Sequence, residues 1–349
     1  MDTIFELVNS GAIASYYTGT ASSKTPYLGE TLFPAKKKLG LDLSWIVGND
    51  GLPVALKPSH FDIKATVRDR IGVSKVETEM PFFRESMLIK EKDRQELLRI
   101  QESSNAELYQ DFLERIFNDR AVLIEGARVQ AERMRMQLLS TGKIAIVANG
   151  VNLEYNYDTD GSFASNNILE LQGTSKWTDS EHATPYTDIK TMQDNIFNRT
   201  GSKPTRLVMS SKVFGLLTKA KEIIKLLRPN GNGAILTSEV LAFFQAELGI
   251  TIFVYEKKFK NEAGTAMNFY PEDRVSFLPS STLGSTWYGT TPEEADLIAK
   301  TGADVTIVDT GIAVTTITQE HPVNVDTIVS AIVLPSFEQI NEVGIIKVL

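Results

Sequence analysis

The sequence contains no cysteine, which excludes disulfide bonds, thiolate nucleophiles and cysteine-based zinc sites. Its three histidines, His60, His182 and His321, are widely separated, and none belongs to an H-x-x-x-H pair. The motifs of phosphate-binding loops, dinucleotide-binding loops, serine hydrolases and zinc proteases are also missing. We therefore predict no catalytic residue, no cofactor and no bound metal ion.

Long apolar runs are missing as well. No run approaches the roughly eighteen residues that a transmembrane helix needs, and the N-terminus carries Asp2 and Glu6 where a secretory signal would carry Lys or Arg. We expect neither a signal peptide nor a membrane partner.

Positive charge is scarce in the second part of the chain. The formal net charge is −8, and all of it falls in residues 151–349, which argues against tight binding to a phosphate backbone. The one short basic run, Lys36 to Lys38, favours a solvated loop, with contact to an acidic protein as the alternative.

Residues 1–38 have the pattern of an arm. Glycines and prolines between Gly11 and Pro34 interrupt any regular element, and long irregular segments are uncommon inside compact domains. The arm is predicted to lie across a neighbouring subunit, and Tyr16 and Tyr17 are its candidate contact residues.

A projecting hairpin is predicted next. In LDLSWIVGNDGLPVALKP, residues 41–58, two apolar runs flank a sequence that favours a tight reversal. Further candidates for subunit contact lie here: Trp45, Gly48, Asn49, Asp50 and Gly51.

The remaining pattern is mixed. Apolar residues recur at helical spacing through residues 106–139, with Gly142 as a stop signal. A strand pair with an Asn149-Gly150 turn follows. Residues 185–299 then alternate helices and strands in an α/β rhythm, and the tail after residue 300 is rich in Val, Ile and Thr, which favours strands.

Two pairs of acidic residues are candidates for chemistry. Asp158 and Asp160 partly match a calcium loop, but the position that needs a bidentate Glu holds Asn167, so a polar turn explains the pattern and calcium binding stays open. Glu293 and Glu294 follow Pro292 in the pattern of a capped helix start. We interpret them as capping residues, with an acid–base pair as the alternative.

The order of parts, together with two local sequences, carries a resemblance. The first sequence is GITIFVYEKKFKNEAGTAMNFYPEDRVSFLP followed by LGSTWYG and TPEEADL, and the second is NNILELQGTSKW, residues 166–177. These features resemble the tailed-bacteriophage major capsid proteins of the phage lambda E type.

The resemblance implies an α+β fold, the tailed-phage major capsid fold (Hong Kong 97-like). Its parts would be an N-terminal arm, an extended loop, a peripheral domain with a long spine helix, and an α/β axial domain. The implied bounds are 1–38 for the arm, 39–90 for the extended loop, 91–184 with 300–335 for the peripheral domain, 106–139 for the spine helix, and 185–299 with 336–349 for the axial domain.

The resemblance also implies a function and partners. The chain would assemble in the host cytoplasm into hexamers and pentamers of an icosahedral head, enclosing double-stranded DNA without binding it specifically. Its partners would be further copies of itself, a separate scaffolding protein and a portal, with a decoration protein as an optional addition. The LGSTWYG sequence is then interpreted as a buried turn, with core or turn roles for Gly284, Trp287, Tyr288 and Gly289.

Three alternatives stay open at this point. They are an encapsulin-like nanocompartment shell protein, an α/β enzyme with an oligomerisation arm, and a calcium-dependent binding module centred on Asp158 and Asp160.

Overall fold

The computed structural model describes residues 7–21, 25–47, 74–103, 105–148, 150–231, 235–298, 304–320 and 323–349. The strands are, in chain order, β1 Ala35–Lys37, β2 Asp42–Val47, β3 Ser74–Glu79, β4 Phe82–Ile89, β5 Lys143–Ala148, β6 Val151–Asn156, β7 Ile168–Glu170, β8 Arg206–Met209, β9 Thr251–Val254, β10 Lys258–Lys260, β11 Ala266–Asn268, β12 Arg274–Leu278, β13 Thr286–Tyr288, β14 Asp304–Val308, β15 Ile312–Glu320, β16 Val323–Pro335 and β17 Gly344–Lys347. The helices are α1 Ser10–Ala21, α2 Leu28–Leu32, α3 Glu91–Glu102, α4 Ala106–Thr141, α5 Ser162–Asn167, α6 Pro185–Thr200, α7 Ser211–Lys219, α8 Lys221–Leu227, α9 Thr237–Leu248 and α10 Pro292–Ile298.

The chain divides into two compact units. The first comprises Met1–Leu43, Glu77–Met134 and Ser285–Ser336, and the second comprises Ser44–Val76, Arg135–Gly284 and Phe337–Leu349. These two units divide the chain at other positions than the domain bounds that the resemblance implies, and those bounds remain a prediction. Residues 135–184 belong to the second unit, and the segment that begins at residue 285 belongs to the first.

The first unit contains a six-stranded sheet. Its order is β1-β13-β16-β15-β14, and β4 also pairs with β16. All the pairs are antiparallel except β1 with β13. The long strands β15 and β16 are rich in Val, Ile and Thr, whose branched side chains pack well on a pleated surface.

The N-terminal segment contains a helix that the sequence analysis did not predict. The expectation that glycines interrupt any regular element is wrong for α1, which runs through Gly11 and Gly19. Each glycine costs a helix about 1 kcal/mol relative to alanine. Burial of Ile13 and Tyr17 in the first unit offsets this cost, because each large apolar side chain contributes about 1.5–3 kcal/mol.

The predicted long helix is confirmed. Helix α4 has 36 residues and is about 54 Å long. It ends at Gly142, which has a φ of +70° and donates its N–H to the carbonyl of Leu138 at 2.8 Å. A Cβ at Gly142 would lie 2.8 Å from the ring of Phe163, so both backbone conformation and space require glycine here.

The second unit contains a five-stranded sheet in the order β7-β17-β12-β8-β9. Its core packs helices against this sheet around Trp177, Leu207, Phe244 and Phe277. The predicted α/β rhythm is confirmed. Within it, α7 and α8 are separated at Ala220, which has an extended conformation. The predicted strand pair is present as β5 and β6, with Ala148 opposite Val151.

None of the helices in the described ranges has the length and apolar character needed to cross a membrane.

Candidate assembly surfaces

The described part of the predicted arm packs on its own first unit. Ser10, at the start of α1, donates its N–H and its hydroxyl to the Asp304 carboxylate at 2.9 and 2.6 Å. The same hydroxyl lies 2.7 Å from the hydroxyl of Thr306. The start of α1 is therefore fixed to β14 by side-chain hydrogen bonds within one chain.

A second set of contacts, which we call the arm latch, joins the arm to α4. It consists of Tyr17, Tyr27 and Glu30 from the arm and Glu125 and Arg128 from the helix. The two tyrosine hydroxyls donate to the Glu125 carboxylate at 3.0 and 2.6 Å. Arg128 donates to the Tyr17 hydroxyl at 3.1 Å and to Glu30 at 2.7 Å. Because residues 125 and 128 are three apart, they share one face of α4.

The protonation states of the latch follow from its environment. Burial raises the pKa of Tyr17 and of Tyr27 well above the ordinary value, and the hydrogen bond to Glu125 raises that of Tyr27 further. Burial alone would lower the pKa of Arg128, but its hydrogen bonds to Tyr17 and Glu30 outweigh burial and raise it. Both tyrosines are therefore neutral donors at neutral pH, and the guanidinium stays charged.

Both arm tyrosines predicted as subunit contacts have partners within the chain. The Tyr16 hydroxyl donates to Asn118 at 2.8 Å, and its ring stacks on Phe117 with centroids 5.5 Å apart. The Tyr17 side chain is only 1% exposed. A contact of either tyrosine with a neighbouring subunit remains a prediction.

The predicted hairpin is described only at its base, where β2 and β3 pair. Trp45 is buried there and stacks on Tyr157 at a centroid distance of 5.2 Å. The four predicted turn residues, Gly48, Asn49, Asp50 and Gly51, lie outside the described residues.

The LGSTWYG sequence forms a strand where a turn was expected. Trp287 and Tyr288 belong to β13, which pairs with β1 on one side and β16 on the other. Tyr288 and Gly284 are buried, whereas Trp287 is half-buried with Lys36 positioned 5.3 Å from its ring centroid. A Cβ at Gly289 would lie 2.6 Å from the Ile332 side chain. The backbone at residue 289 therefore approaches Ile332 too closely for any residue larger than glycine.

Helix α10 has the predicted cap and also forms ion pairs that the sequence analysis missed. The Thr291 hydroxyl accepts the N–H of Glu294 at 3.2 Å, which confirms the capped start. Lys37 contacts the Glu294 carboxylate at 2.5 Å, and Arg84 pairs with Glu293, whose carboxylate also accepts from Ser330 at 2.7 Å. Sequence spacing could not reveal these pairs, because their members lie more than 200 residues apart.

The calcium-like sequence forms local hydrogen bonds. The Asp158 carboxylate accepts the N–H groups of Phe163 and Ala164, each at 2.9 Å, and Asp160 accepts that of Ser162 at 3.0 Å. These bonds cap α5. No group of three acidic or histidine side chains converges as a metal site in the part of the chain that the structure describes.

Several large apolar side chains are exposed to solvent in both units. At the tip of the β5–β6 ribbon, Val147 is 72% exposed and Val151 is 53% exposed. Leu39 in the first unit and Leu236 in the second are exposed to a similar extent. Among the residues that the structure describes, this ribbon pairs as two strands only, and such ribbons are marginally stable by themselves.

Comparison with solved structures shows the fold. A prophage capsid protein from Escherichia coli CFT073 is 17% identical, with 98% of this chain and 99% of that chain covered and a TM-score of 0.61. A phage-related protein from Bordetella bronchiseptica RB50 is 12% identical, with 97% of each chain covered and a TM-score of 0.55. The capsid protein of cyanophage A-1(L) is 10% identical, with 92% of each chain covered and a TM-score of 0.51. The chain has the tailed-phage major capsid fold (Hong Kong 97-like), and the predicted fold class is confirmed.

A match to a family model shows the family of the chain. The family model described as phage major capsid protein E matches residues 17–348, and the chain belongs to that family. No curated protein matches the chain significantly. The family consists of structural proteins of the phage capsid, which places the chain in the virion and classes it as a structural protein and not as an enzyme.

Proposed function

We propose that this major capsid protein assembles into hexamers and pentamers of an icosahedral phage head that encloses double-stranded DNA. The family match over nearly the whole chain is the observation that carries the proposal. Assembly would occur in the host cytoplasm on a separate scaffolding protein, with a portal at one vertex and a decoration protein as an optional partner.

Exposed apolar side chains support self-association. Burying a valine or leucine side chain contributes about 1.5–3 kcal/mol relative to leaving it in water. The tip valines, Val147 and Val151, make this contribution only if another surface covers them. A few such contacts are weak for one pair of subunits, but a closed shell repeats them in every copy.

The charge of the chain suits an inert DNA container. The net charge of −8 disfavours tight binding to phosphates, which depends on clustered Lys and Arg. We expect packaged DNA to be confined without sequence-specific contacts. A basic lining of the shell interior, seen in a shell structure, would contradict this expectation.

Electron microscopy of the protein expressed alone and with its neighbouring genes tests the proposal. We expect closed shells, or sheets and tubes of hexamers. The test variant is Val147→Asp with Val151→Asp, which should reduce assembly while the subunit stays folded. Asn152→Asp is the control for charge, because it adds one of the two negative charges of the test variant at the same tip without removing an apolar side chain.

The variant and its control separate two explanations. Loss of shells in the double variant alone would assign assembly to apolar contact at the ribbon tip. Equal loss in the control would show that added charge is responsible and would contradict the apolar argument. A discrete monomer or dimer of the unmodified chain under both expression conditions would overturn the proposed function itself.

A further inference from the structure

Strand β4 has an open edge in the six-stranded sheet. It spans eight residues and pairs with β16 on one side, and no other strand in the described ranges pairs with it. The Val333 N–H donates to the Pro81 carbonyl at 3.3 Å, which shows that the backbone groups of odd-numbered residues face β16. Because backbone groups of a strand alternate between its two sides, residues 82, 84, 86 and 88 direct their N–H and C=O groups outward.

This edge lacks the features that usually prevent edge strands from pairing. Such features are short length, proline and exposed lysine, and β4 has eight residues without proline or lysine. Its one cation, Arg84, pairs with Glu293 of the same chain. Phe82 and Leu88, near the two ends of the strand, are 42% and 43% exposed. The edge can therefore accept a further strand, and covering these two side chains would stabilise the pair.

The sequence of β4 is self-complementary about Glu85. When two copies of the strand run antiparallel with their Glu85 residues opposite each other, Phe82 lies opposite Leu88, and Arg84 lies opposite Ser86. The outward-facing residues of the two strands are then opposite one another, so each outward N–H meets a C=O. The exposed apolar side chains cover each other. The central Glu85 pair alone is unfavourable, because like charges directly opposite each other destabilise a strand pair.

We propose that β4 of one subunit pairs with β4 of a second copy across a two-fold axis, so that the sheet of one subunit continues into the next. A two-fold contact uses the same surface on both partners, whereas rings are closed by contacts between different surfaces. The β4 pair would therefore join neighbouring rings of the shell and not subunits within one ring. The inference rests on the proposed function and names one contact of the assembly.

Disulfide formation tests this register, because the chain has no cysteine of its own that could form other bridges. In Glu85→Cys the two cysteines would lie opposite each other at a position without backbone hydrogen bonds between the two strands. The Cα atoms of such a pair are about 4.5 Å apart, within the range that a disulfide requires.

Ser86→Cys is the matched control. Residues 85 and 86 are neighbours on the same strand, and both are exposed. The two copies of residue 86 would be displaced along the strands by two residues and would lie about 8 Å apart, too far for a disulfide. Both variants are assembled under reducing conditions, and the particles are then oxidised and analysed on a non-reducing gel. We expect Glu85→Cys to yield covalent dimers about fivefold or more in excess of Ser86→Cys, because only its geometry permits the bridge.

A second variant keeps the test available if Glu85→Cys does not assemble. Phe82→Cys combined with Leu88→Cys places cysteines opposite each other at both ends of the paired strands, with Cα atoms about 5.5 Å apart. It should also yield covalent dimers, and either cysteine alone should not.

Other outcomes would overturn the inference. They are equal or higher dimer yield in Ser86→Cys, or no dimer from the test variants in shells that form normally, and both leave the proposed function intact. If the unmodified chain forms no shells, the proposed function fails by itself. Oxidation of the concentrated free subunit then still tests the strand pair, with the same two variants and the same control.

Discussion

Removing one hydroxyl from the arm latch tests whether the arm is fixed to its own subunit. In Tyr27→Phe the ring is kept, including its position 5.8 Å from the Arg128 guanidinium, while the 2.6 Å hydrogen bond to Glu125 is lost. A hydrogen bond to a charged group contributes about 1.5–3 kcal/mol. Because Glu125 keeps its bond to Tyr17, we expect a loss near the lower limit, about 1.5 kcal/mol.

This loss has a measurable consequence for local opening. A change of about 1.4 kcal/mol corresponds to a factor of ten in an equilibrium constant. Amide groups of α2, which begins directly after Tyr27, should therefore exchange with solvent deuterium about tenfold faster in Tyr27→Phe, provided that exchange proceeds through rapid local opening. Hydrogen-exchange mass spectrometry of the unassembled full-length protein measures this rate directly.

The matched control is Tyr186→Phe in the second unit. The Tyr186 ring packs against Phe243 and Phe244, so the control removes a hydroxyl from a packed ring outside the latch. Exchange of α2 should be unchanged in the control. Unchanged exchange in Tyr27→Phe would refute the latch. So would an arm that is unprotected in the free wild-type subunit and becomes protected only in shells, because the arm would then dock on a neighbour.

Three further predictions follow from other contacts. Gly289→Ala should destabilise the first unit by about 1–3 kcal/mol through overpacking against Ile332, measured by thermal or denaturant unfolding. Asp158→Asn should cost about 1 kcal/mol by weakening the cap of α5, and unchanged stability in added calcium would support the capping role. The hydrogen bond from Arg274 lowers the pKa of Asp273 in the folded protein. The stabilisation that this bond contributes is therefore complete above the unfolded pKa of about 3.9. It is lost as pH falls through the lower pKa of the folded state. Arg274→Gln should therefore flatten the acid limb of a stability–pH curve, and an unchanged slope would contradict this assignment.

Elements with strong local periodicity were predictable from the sequence. Helix α4 repeats its apolar residues over many turns and ends at a glycine, and the sequence between β5 and β6 is Asn-Gly. The Thr291 cap belongs to the same group, because its signal is a hydroxyl, a proline and two acids within a few residues. In each case the interactions that form the element lie close together in the chain.

Features that depend on distant residues were missed. Helix α1 contains glycines that argue against a helix, and tertiary burial overrides that local preference. Strand β13 has three residues, too few for an alternation pattern, and its partners lie far away in the sequence. The latch pairs Tyr27 with Glu125, 98 residues apart, and no spacing rule connects such positions.

The burial of the arm limits how the shell can assemble. Val8, Ile13, Tyr17, Leu32 and Phe33 are all buried in the single chain. Transferring this segment to a neighbour would first expose these side chains, at about 1.5–3 kcal/mol each, in addition to breaking the latch. We therefore expect assembly to use surfaces that the free subunit already exposes, such as the tip of the β5–β6 ribbon, because covering them needs no prior unfolding of the arm.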